Sequence, residues 1–295
     1  MGRVNFPGNW IGDLWDNFEL HCREGTIWRI NEKISEKSTL LPSLPGIRRG
    51  KAEAQAVYHC EEIVAGRRNG RRAIVKVRMQ IPPEFPPSFN PAVRAQLAET
   101  VPAGWTRKEL HSLTHFNEKK CTAVPKLLNV VSSWQDGPEM PVPNGYLVFI
   151  VMEELPGVSL ADFWSYPLPK RDVIRASFER SLTELFSFHG RPWDCRLENL
   201  IYDEKTDKCY FVDFEGVDVT EEKEVLMFTD LYFHLWGLMH EEFGELNVII
   251  VRELFTATFW KHEGDFVAVG SGLGSLSPID SCVVHCICHS AVSSA

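Results

Sequence analysis

The chain of 295 residues is long enough for one large domain or for two lobes with a cleft between them. Its 44% hydrophobic and 24% charged residues are typical of a globular protein with a sizeable core. The formal net charge of −9 argues against a general attraction to nucleic acid or to anionic membranes. No apolar run approaches the roughly 18 residues that would span a bilayer.

The sequence also indicates a compartment. The first residues, MGRVNFPGNW, lack the apolar core of a signal peptide, and the first five of the eight cysteines are scattered along the chain. Scattered cysteines without an export signal are typical of reduced thiols. We therefore expect a soluble cytoplasmic protein with neither a nucleic-acid nor a membrane partner.

The N-terminal half begins with an extension and continues with strands. Residues 1–50 form the predicted extension, with a short helix at 13–21 (DLWDNFELH). From Ala54 the pattern changes to β-strands, with the runs AVYHCEEIVA at 56–65 and RRAIVKVRM at 71–79. The GRRNG sequence between the two runs is a turn signal, so we expect a β-hairpin.

Helices and two further strands follow the proline-rich insertion IPPEFPPSFNP. Residues 92–100 and 106–116 are typical of helices, whereas 126–134 and 146–155 are predicted strands. The Pro-Gly pair that closes 154–157 marks a connector to the rest of the chain.

The C-terminal half is mainly helical. A short helix is predicted at 159–164, and the clearest helix of the chain lies at 170–190. Its apolar side chains recur at helical spacing: Ile174, Phe178, Leu182 and Leu185. A β-hairpin is expected within 193–216. Residues 223–243 form a predicted helix that is apolar nearly all round and is therefore expected to be buried.

This order of elements predicts an α+β fold in two lobes. The expected organisation is an N-terminal extension (1–50), a strand-rich lobe (51–155), a helical lobe (156–263) and a Gly/Ser/Cys-rich tail (264–295). We expect the tail to be poorly ordered. Its soft metal ligands keep a zinc-binding interaction module open as an alternative: Cys282, His285, Cys286, Cys288 and His289.

The stretch WDCRLENLIYDEKTDKCYFVDFEG places Asp194, Asn199 and Asp213 around the predicted hairpin. Phosphoryl transfer from a nucleotide requires a cation for the phosphates, oxygen ligands for Mg²⁺ and a carboxylate that orients the acceptor hydroxyl. Asn199 and Asp213 offer the hard oxygen ligands that Mg²⁺ prefers, and Asp194 is left to accept a proton. The alternative is that all three are ordinary turn residues.

The stretch D-C-R-L-E-N, followed by Asp213-Phe214, resembles the catalytic loop and the Asp-Phe-Gly motif of protein kinases. It is still more similar to that of small-molecule kinases of the aminoglycoside phosphotransferase type. The run LVFIVMEELPGVSL looks like the last strand of a small lobe entering a hinge. The resemblance extends from about residue 50 to about residue 240, and the overall pattern is similar to that of divergent fungal kinase-like proteins.

The resemblance implies a nucleotide-binding role for five residues. Lys76, in AIVKV, would bind the phosphates of ATP, and Glu109, in TRKELHSL, would pair with it. Met152 would be the gatekeeper, and the backbone of Glu153 and Leu155 would hydrogen-bond adenine.

The resemblance also implies roles around the opening motif. Asn199 and Asp213 would hold Mg²⁺, and Asp194 would orient the acceptor hydroxyl. Arg196 would contact the transferred phosphate, the alternative being a surface pair with Glu198. A second candidate partner for Lys76, besides Glu109, is Glu99.

Several positions depart from the kinase pattern. Pro192 stands where kinases usually have His, and Glu215 replaces the Gly of Asp-Phe-Gly; we favour a Glu215 side chain that faces water over one that joins the metal. No Gly-x-Gly-x-x-Gly loop is present, and the nearest substitute is GIRRGK, with Gly46 and Gly50. The segment after Glu215 is too short for a peptide-binding platform, which favours a small-molecule acceptor over a protein acceptor.

The sequence therefore predicts a phosphotransferase that uses ATP and Mg²⁺ and transfers the γ-phosphate to a hydroxyl group. The alternative is a pseudokinase that acts as a nucleotide-binding or protein-interaction scaffold. Pro192, the missing Gly-rich loop and a C-terminal lobe shorter than that of kinases favour this alternative. The sequence gives no indication of the oligomeric state.

Overall fold

A computed structural model of the chain describes residues 9–40, 52–64, 66–220 and 226–239. The chain divides into two compact units, Met1–Glu242 and Phe243–Ala295, and the second unit lies outside the described residues. The GIRRGK sequence and the cysteine- and histidine-rich tail also lie outside them, so the expectations for both stay untested. None of the helices among the described residues is long and apolar enough to span a bilayer.

A six-stranded antiparallel sheet dominates the N-terminal part of the first unit. The strand order is β1-β2-β3-β4-β6-β5. The six strands are β1 (Glu19–His21), β2 (Ile27–Leu40), β3 (Ala52–Val64), β4 (Arg67–Ile81), β5 (Leu127–Trp134) and β6 (Tyr146–Glu153).

The two faces of the sheet differ in character because successive side chains of a strand point to opposite sides. On β4, the apolar residues from Ala73 to Ile81 alternate with Lys76, Arg78 and Gln80. The apolar set lies in the main hydrophobic core together with Ile11, Trp28, Tyr58 and Phe149, among others. The opposite face carries the polar set, and this face supplies the candidate site.

The short helix predicted at 13–21 is wrong. Residues 13–17 form turns, and Glu19–His21 form β1, which pairs with β2. Asn17 has a positive φ of 60°, which breaks a helix at this point. The aromatic rings of Trp15 and Phe18 pack against the ring of Phe149 on β6, with centroids 5.1 and 6.2 Å away, so tertiary packing determines this segment.

The sheet includes residues 19–40, which the sequence analysis assigned to the N-terminal extension, because β2 pairs along its length with β3. The predicted hairpin of two strands in 56–79 is present as β3 and β4, which pair antiparallel with one register shift between Glu61 and Ile63. The expected boundaries near 50, 155 and 263 stay predictions.

Four α-helices lie among the described residues. They are α1 (Pro91–Ala95), α2 (Gly104–Glu118), α3 (Leu168–Ser187) and α4 (Leu231–Leu235). Short 3₁₀ helices cover Leu160–Ser165, Leu197–Asn199 and Phe214–Gly216. The predicted apolar stripe of α3 is buried as expected, from Ile174 to Leu185.

Two predicted helices are shorter in the structure. The helix expected at 92–100 ends at Ala95, after an N-terminal cap in which the Asn90 side chain accepts a hydrogen bond from the Ala92 amide. Of the helix expected at 223–243, only Leu231–Leu235 is helical among the described residues, and Gly237 follows with a φ of +73°. A left-handed glycine is a common helix terminator.

Five short strands organise the C-terminal part of the first unit. They are β7 (Val158–Ser159), β8 (Gly190–Pro192), β9 (Leu200–Asp203), β10 (Lys208–Phe211) and β11 (Val217–Val219). β9 and β10 form the predicted hairpin, and β7 adds to β9. β8 pairs with β11, with Pro192 opposite Val217, so the segments that carry Asp194 and Asp213 are held side by side.

The connector into β7 depends on Gly157. This residue has a φ of +107°, and a Cβ there would overlap the Tyr202 carbonyl group on β9. We expect Gly157→Ala to lower the free energy of unfolding by about 3 kcal/mol, because it adds both backbone strain and a steric clash. Urea denaturation would measure the loss.

The matched control is Gly25→Ala. Gly25 also has a positive φ, +82°, but a Cβ there would meet open space. Its loss should be only about 1 kcal/mol, since strain is the sole cost. Equal losses for the two variants would contradict the close approach at Gly157.

Candidate active site

The centre of the site is an ion pair between the sheet and α2. Lys76 Nζ on β4 donates a hydrogen bond to the Glu109 carboxylate on α2 and contacts Asp213 Oδ1 at 2.9 Å. Both Lys76 and Glu109 are almost fully buried. Glu109 shares the buried face of α2 with Leu113 and Phe116, so its charge needs a buried partner.

The structure distinguishes the two candidate partners of Lys76. Glu109 makes the pair, whereas Glu99 lies in the segment between α1 and α2. The Glu99 amide donates to Gln80 Oε1 at 2.9 Å, and its carbonyl accepts from the Tyr146 amide at 2.9 Å. Burial lowers the pKa of Lys76, but the carboxylates of Asp213 and Glu109 outweigh this effect and hold the pKa above its usual value. Lys76 is therefore a cation at neutral pH.

A second buried cation, Arg78, extends this pair. Arg78 Nε lies 3.1 Å from Glu109 Oε2, Nη1 lies 2.9 Å from Glu53 Oε1, and Nη2 lies 2.5 Å from Glu215 Oε2. Its side chain is only 3% exposed. Arg78 thus joins carboxylates from β3, from α2 and from the 214–216 helix, which fixes these three elements relative to one another.

Glu53 lies behind this network. It accepts hydrogen bonds from Thr106 and from the hydroxyl of Tyr146, the latter at 3.0 Å. Burial raises the pKa of Glu53 above its usual value, and the nearby Arg78 offsets only part of that rise. The hydrogen bonds satisfy a carboxyl group that is almost fully buried.

Asp213 has an unusual backbone conformation. Its φ of 67° and ψ of 71° lie in the left-handed region, which non-glycine residues rarely adopt and which is found at functional sites. Burial raises the pKa of Asp213, but the ammonium groups of Lys76 and Lys37 lower it further, so the net pKa is well below the usual value. The carboxylate is therefore ionised at neutral pH.

Phe214 connects Asp213 to α2. Its ring is 1% exposed and lies against the ring of Phe116, with centroids 5.9 Å apart. Ser112 Oγ on the same helix donates to the carbonyl of Val217 at 2.8 Å. The segment that contains Asp213 is thus packed and hydrogen-bonded to the helix that carries Glu109.

The expectation that Glu215 faces water is wrong. Glu215 Oε1 accepts a hydrogen bond from Lys37 Nζ at 2.8 Å, its other oxygen contacts Arg78, and the side chain is 15% exposed. Burial raises the pKa of Glu215, but Arg78 and Lys37 reverse the shift, so the carboxylate is ionised. Its partners lie on β2 and β4, more than a hundred residues earlier in the chain, so local sequence could not reveal them.

Asp194 and Asn199 form the second part of the site. Asn199 Nδ2 donates to the Asp194 carbonyl at 3.0 Å and lies 3.3 Å from Asp194 Oδ2. Arg196 Nη2 lies 2.5 Å from the same Oδ2, so Arg196 pairs with Asp194.

Gly216 allows Asp194 to approach the segment that carries Asp213. A Cβ on Gly216 would lie 2.6 Å from the Asp194 Cβ, and the Trp193 amide donates to the Gly216 carbonyl at 2.9 Å. Together with the pairing of β8 and β11, this close approach brings the two acidic segments into one place. The sequence spacing of the motif could not predict this contact, which is possible because Gly216 has no side chain.

The residues expected to contact adenine lie at the end of β6. Met152 is buried, and Leu155 is half-buried in the connector. The Glu153 amide donates to the Lys126 carbonyl at 2.8 Å, so this N–H group is engaged with the chain at the start of β5. The roles of Met152, Glu153 and Leu155 in binding a base stay predictions.

The donor set fits a hard cation such as Mg²⁺. Asp213 supplies a carboxylate, and Asn199, whose amide nitrogen contacts Asp194, has its amide oxygen left for coordination. Carboxylate oxygens of Glu109, Asp213 and Glu215 lie within 4.8 Å of one another. Lys37, however, lies 3.3 Å from Asp213 Oδ2, so a metal ion would compete with this ammonium group.

Several charged members of the site were not predicted from the sequence, although one of them, Arg78, has a local signal. In AIVKVRMQI, polar residues alternate with apolar ones, which predicts that Lys76 and Arg78 lie on the same face of a strand. The contributions of Lys37 and Glu53 had no such signal, because they depend on the pairing of β2, β3 and β4.

Comparison with known proteins gives little further information. No protein-family model matches the chain, and no curated protein matches it significantly. The structure of the kinase PK-1 from Cydia pomonella granulovirus is 18% identical, and the alignment covers 65% of this chain. It covers 55% of the viral kinase chain, with a TM-score of 0.35, at which the likeness defines neither fold nor function.

Replacing Arg78 tests the network. Arg78→Met would remove a counter-charge of Glu109 and Glu215 and a hydrogen-bond donor to Glu53, so we expect the free energy of unfolding to fall by about 3–5 kcal/mol. Chemical denaturation at neutral pH would measure the change.

Arg72→Met is the control, because Arg72 is also on β4 but its pair with Glu154 is exposed, with 64% of the Arg72 side chain accessible. Its loss should be about 0–1 kcal/mol. If Arg78→Met costs no more than this control, Arg78 does not hold the three elements together.

Proposed function

We propose that the protein adopts a two-lobed kinase-like fold and is an ATP- and Mg²⁺-dependent phosphotransferase with a small-molecule hydroxyl acceptor. The observation that carries this proposal is the buried contact of Lys76 with both Glu109 and Asp213. Kinases require this combination, since a strand lysine held by a helix glutamate binds phosphates and an adjacent Asp binds Mg²⁺.

Lys76 would bind the phosphates of the nucleotide. Its ammonium group is fixed by Glu109, which in turn is fixed by Arg78. A cation held in advance costs little reorganisation when the phosphates bind, and it acts in a site with little water. Asp213 and Asn199 would hold Mg²⁺, which neutralises charge on the phosphates.

Asp194 would orient the acceptor hydroxyl and accept its proton. The contacts with Asn199 and Arg196 both use Oδ2, so Oδ1 is the oxygen that would face the hydroxyl. Arg196 is half-exposed, with 51% of its side chain accessible, and a guanidinium group at this place could contact the transferred phosphate.

The chain after the site favours a small acceptor. β11 ends at Val219 and α4 begins at Leu231, so the intervening segment is short. A peptide substrate would need an extended surface beside Asp194, whereas a small molecule needs only access to the Asp194 carboxylate.

A scaffold without catalysis is the second candidate. It is favoured by the pairing of each acidic group with a cation of the chain itself: Asp213 and Glu215 with Lys37, and Asp194 with Arg196. Such a site is electrostatically satisfied without nucleotide or metal. The two candidates differ in whether Mg-ATP displaces these internal pairs.

Ligand-dependent stability would distinguish them. We expect Mg-ATP at 100 times its Kd to stabilise the wild type by about 2.7 kcal/mol, seen as a higher melting temperature. Asp213→Ala should abolish this response because it removes a metal ligand. A wild type that does not respond to ATP, with or without Mg²⁺, would contradict the phosphotransferase proposal and support the scaffold.

Asp194→Asn would separate binding from chemistry. We expect this variant to keep the Mg-ATP stabilisation and to lose phosphate transfer, because an amide cannot accept the hydroxyl proton. The measurement is release of ADP with a panel of small hydroxyl compounds. Undiminished turnover would show that Asp194 is not the residue that accepts the proton.

A further inference from the structure

The side chain of Lys37 extends from β2 to the acidic residues of the candidate site. Its Nζ atom lies 3.3 Å from Asp213 Oδ2 and 2.8 Å from Glu215 Oε1. The side chain is 42% exposed, in contrast to the buried Lys76 at 7%. Lys37 is therefore the cation of this cluster that a ligand entering from solvent would meet first.

The position of Lys37 on the sheet makes it part of the same face as Lys76. Lys37 lies opposite Gln55 in the register of β2 and β3, and Gln55 lies opposite Arg78 in the register of β3 and β4. Side chains that face each other across antiparallel strands point to the same side of the sheet. Three cations, Lys37, Lys76 and Arg78, thus project from one face towards Asp213, Glu109 and Glu215.

Gln55 supplies an independent observation at this place. Its side-chain oxygen is buried, and within the part of the chain that the structure describes no group donates a hydrogen bond to it. A buried acceptor without a hydrogen bond costs free energy, so a donor that moves next to Gln55 Oε1 when ligand binds would gain a favourable hydrogen bond. The Lys37 ammonium has three N–H donors and could contact both this oxygen and an anion.

We infer that Lys37 exchanges partners when nucleotide binds: it neutralises Asp213 and Glu215 in the ligand-free protein and binds the nucleotide phosphates when Mg²⁺ takes its place. This inference rests on the proposed function and assigns Lys37 and Gln55 to the phosphate subsite of that site. It would also add a phosphate contact to that of Lys76, in a sequence that has no Gly-x-Gly-x-x-Gly loop.

Charge balance supports the exchange. In the ligand-free protein, one tethered ammonium group contacts two carboxylates, Asp213 Oδ2 at 3.3 Å and Glu215 Oε1 at 2.8 Å. A divalent cation at Asp213 would repel that ammonium, while the phosphates bound to the metal would attract it. The number of opposite-charge contacts is therefore maintained when Lys37 moves from carboxylate to phosphate.

Lys37→Met tests the inference because its predicted effects on metal and on nucleotide have opposite signs. Without the competing ammonium, Mg²⁺ alone should bind at least about threefold more tightly, whereas Mg-ATP should bind at least about tenfold more weakly. Adenosine, which lacks phosphates, should bind the variant and the wild type alike. Isothermal titration calorimetry with MgCl₂, Mg-ATP and adenosine would measure the three affinities.

Two further variants serve as controls. Lys33→Met makes the same substitution on the same strand, but Lys33 pairs with Glu36 and lies near the Tyr58 ring, on the other face of the sheet. Its affinities should equal those of the wild type. Lys37→Arg keeps the positive charge and should restore most of the Mg-ATP affinity.

The outcomes separate this inference from the proposed function. Wild-type Mg-ATP affinity in Lys37→Met, with the wild type itself binding, would overturn the inference and leave the phosphotransferase proposal intact. An unchanged affinity for Mg²⁺ alone, or an equal loss in Lys33→Met, would also overturn the exchange. A wild type that binds no Mg-ATP would overturn both.

Discussion

The structure depends on a buried cluster of opposite charges that joins the sheet to α2 and to the 213–216 segment. Lys76 and Arg78, two residues apart on β4, face Glu109 on α2 and the acidic residues of the 213–216 segment. Burying these charges is costly, and removing one partner would leave another uncompensated. The cluster therefore specifies how α2 and the 213–216 segment contact the sheet, in addition to forming the candidate site.

The same cluster explains how Asp213 is held in one conformation without a ligand. The left-handed backbone at Asp213 is unfavourable by itself, but Phe214 is anchored against α2 and the carboxylate is held by two ammonium groups. Strain of this kind persists only where surrounding contacts determine the conformation. The proposed phosphotransferase activity would benefit from such order, because phosphoryl transfer depends mainly on positioning and electrostatic stabilisation.

The cluster also differs from the kinase pattern that the sequence resembles. The glutamate at position 215 is not a solvent-exposed side chain, because Arg78 and Lys37 hold it. A basic residue at position 78 and an acidic one at position 215 compensate each other across the sheet. Either residue considered alone looks like an isolated substitution, and their complementarity is visible only in three dimensions.

The sequence by itself predicted several of the strands and helices, and it identified residues whose side chains could bind ligands or transfer protons. Alternation along β4, the apolar stripe of α3 and the hairpin after Asn199 were readable because each depends on neighbours within a few residues. The two candidates for the partner of Lys76, Glu109 and Glu99, came from the resemblance of the sequence to kinases.

Only the tertiary structure decided which charges meet. Lys76 pairs with Glu109 and not with Glu99, and Lys37, on a strand assigned to an extension, contacts Asp213 and Glu215. Residues 13–17 form turns where a helix was predicted. All three outcomes depend on strand pairing and side-chain packing across long sequence separations. The free energy of these contacts comes from burial and from ion pairs in a low-dielectric interior, neither of which is encoded in local propensity.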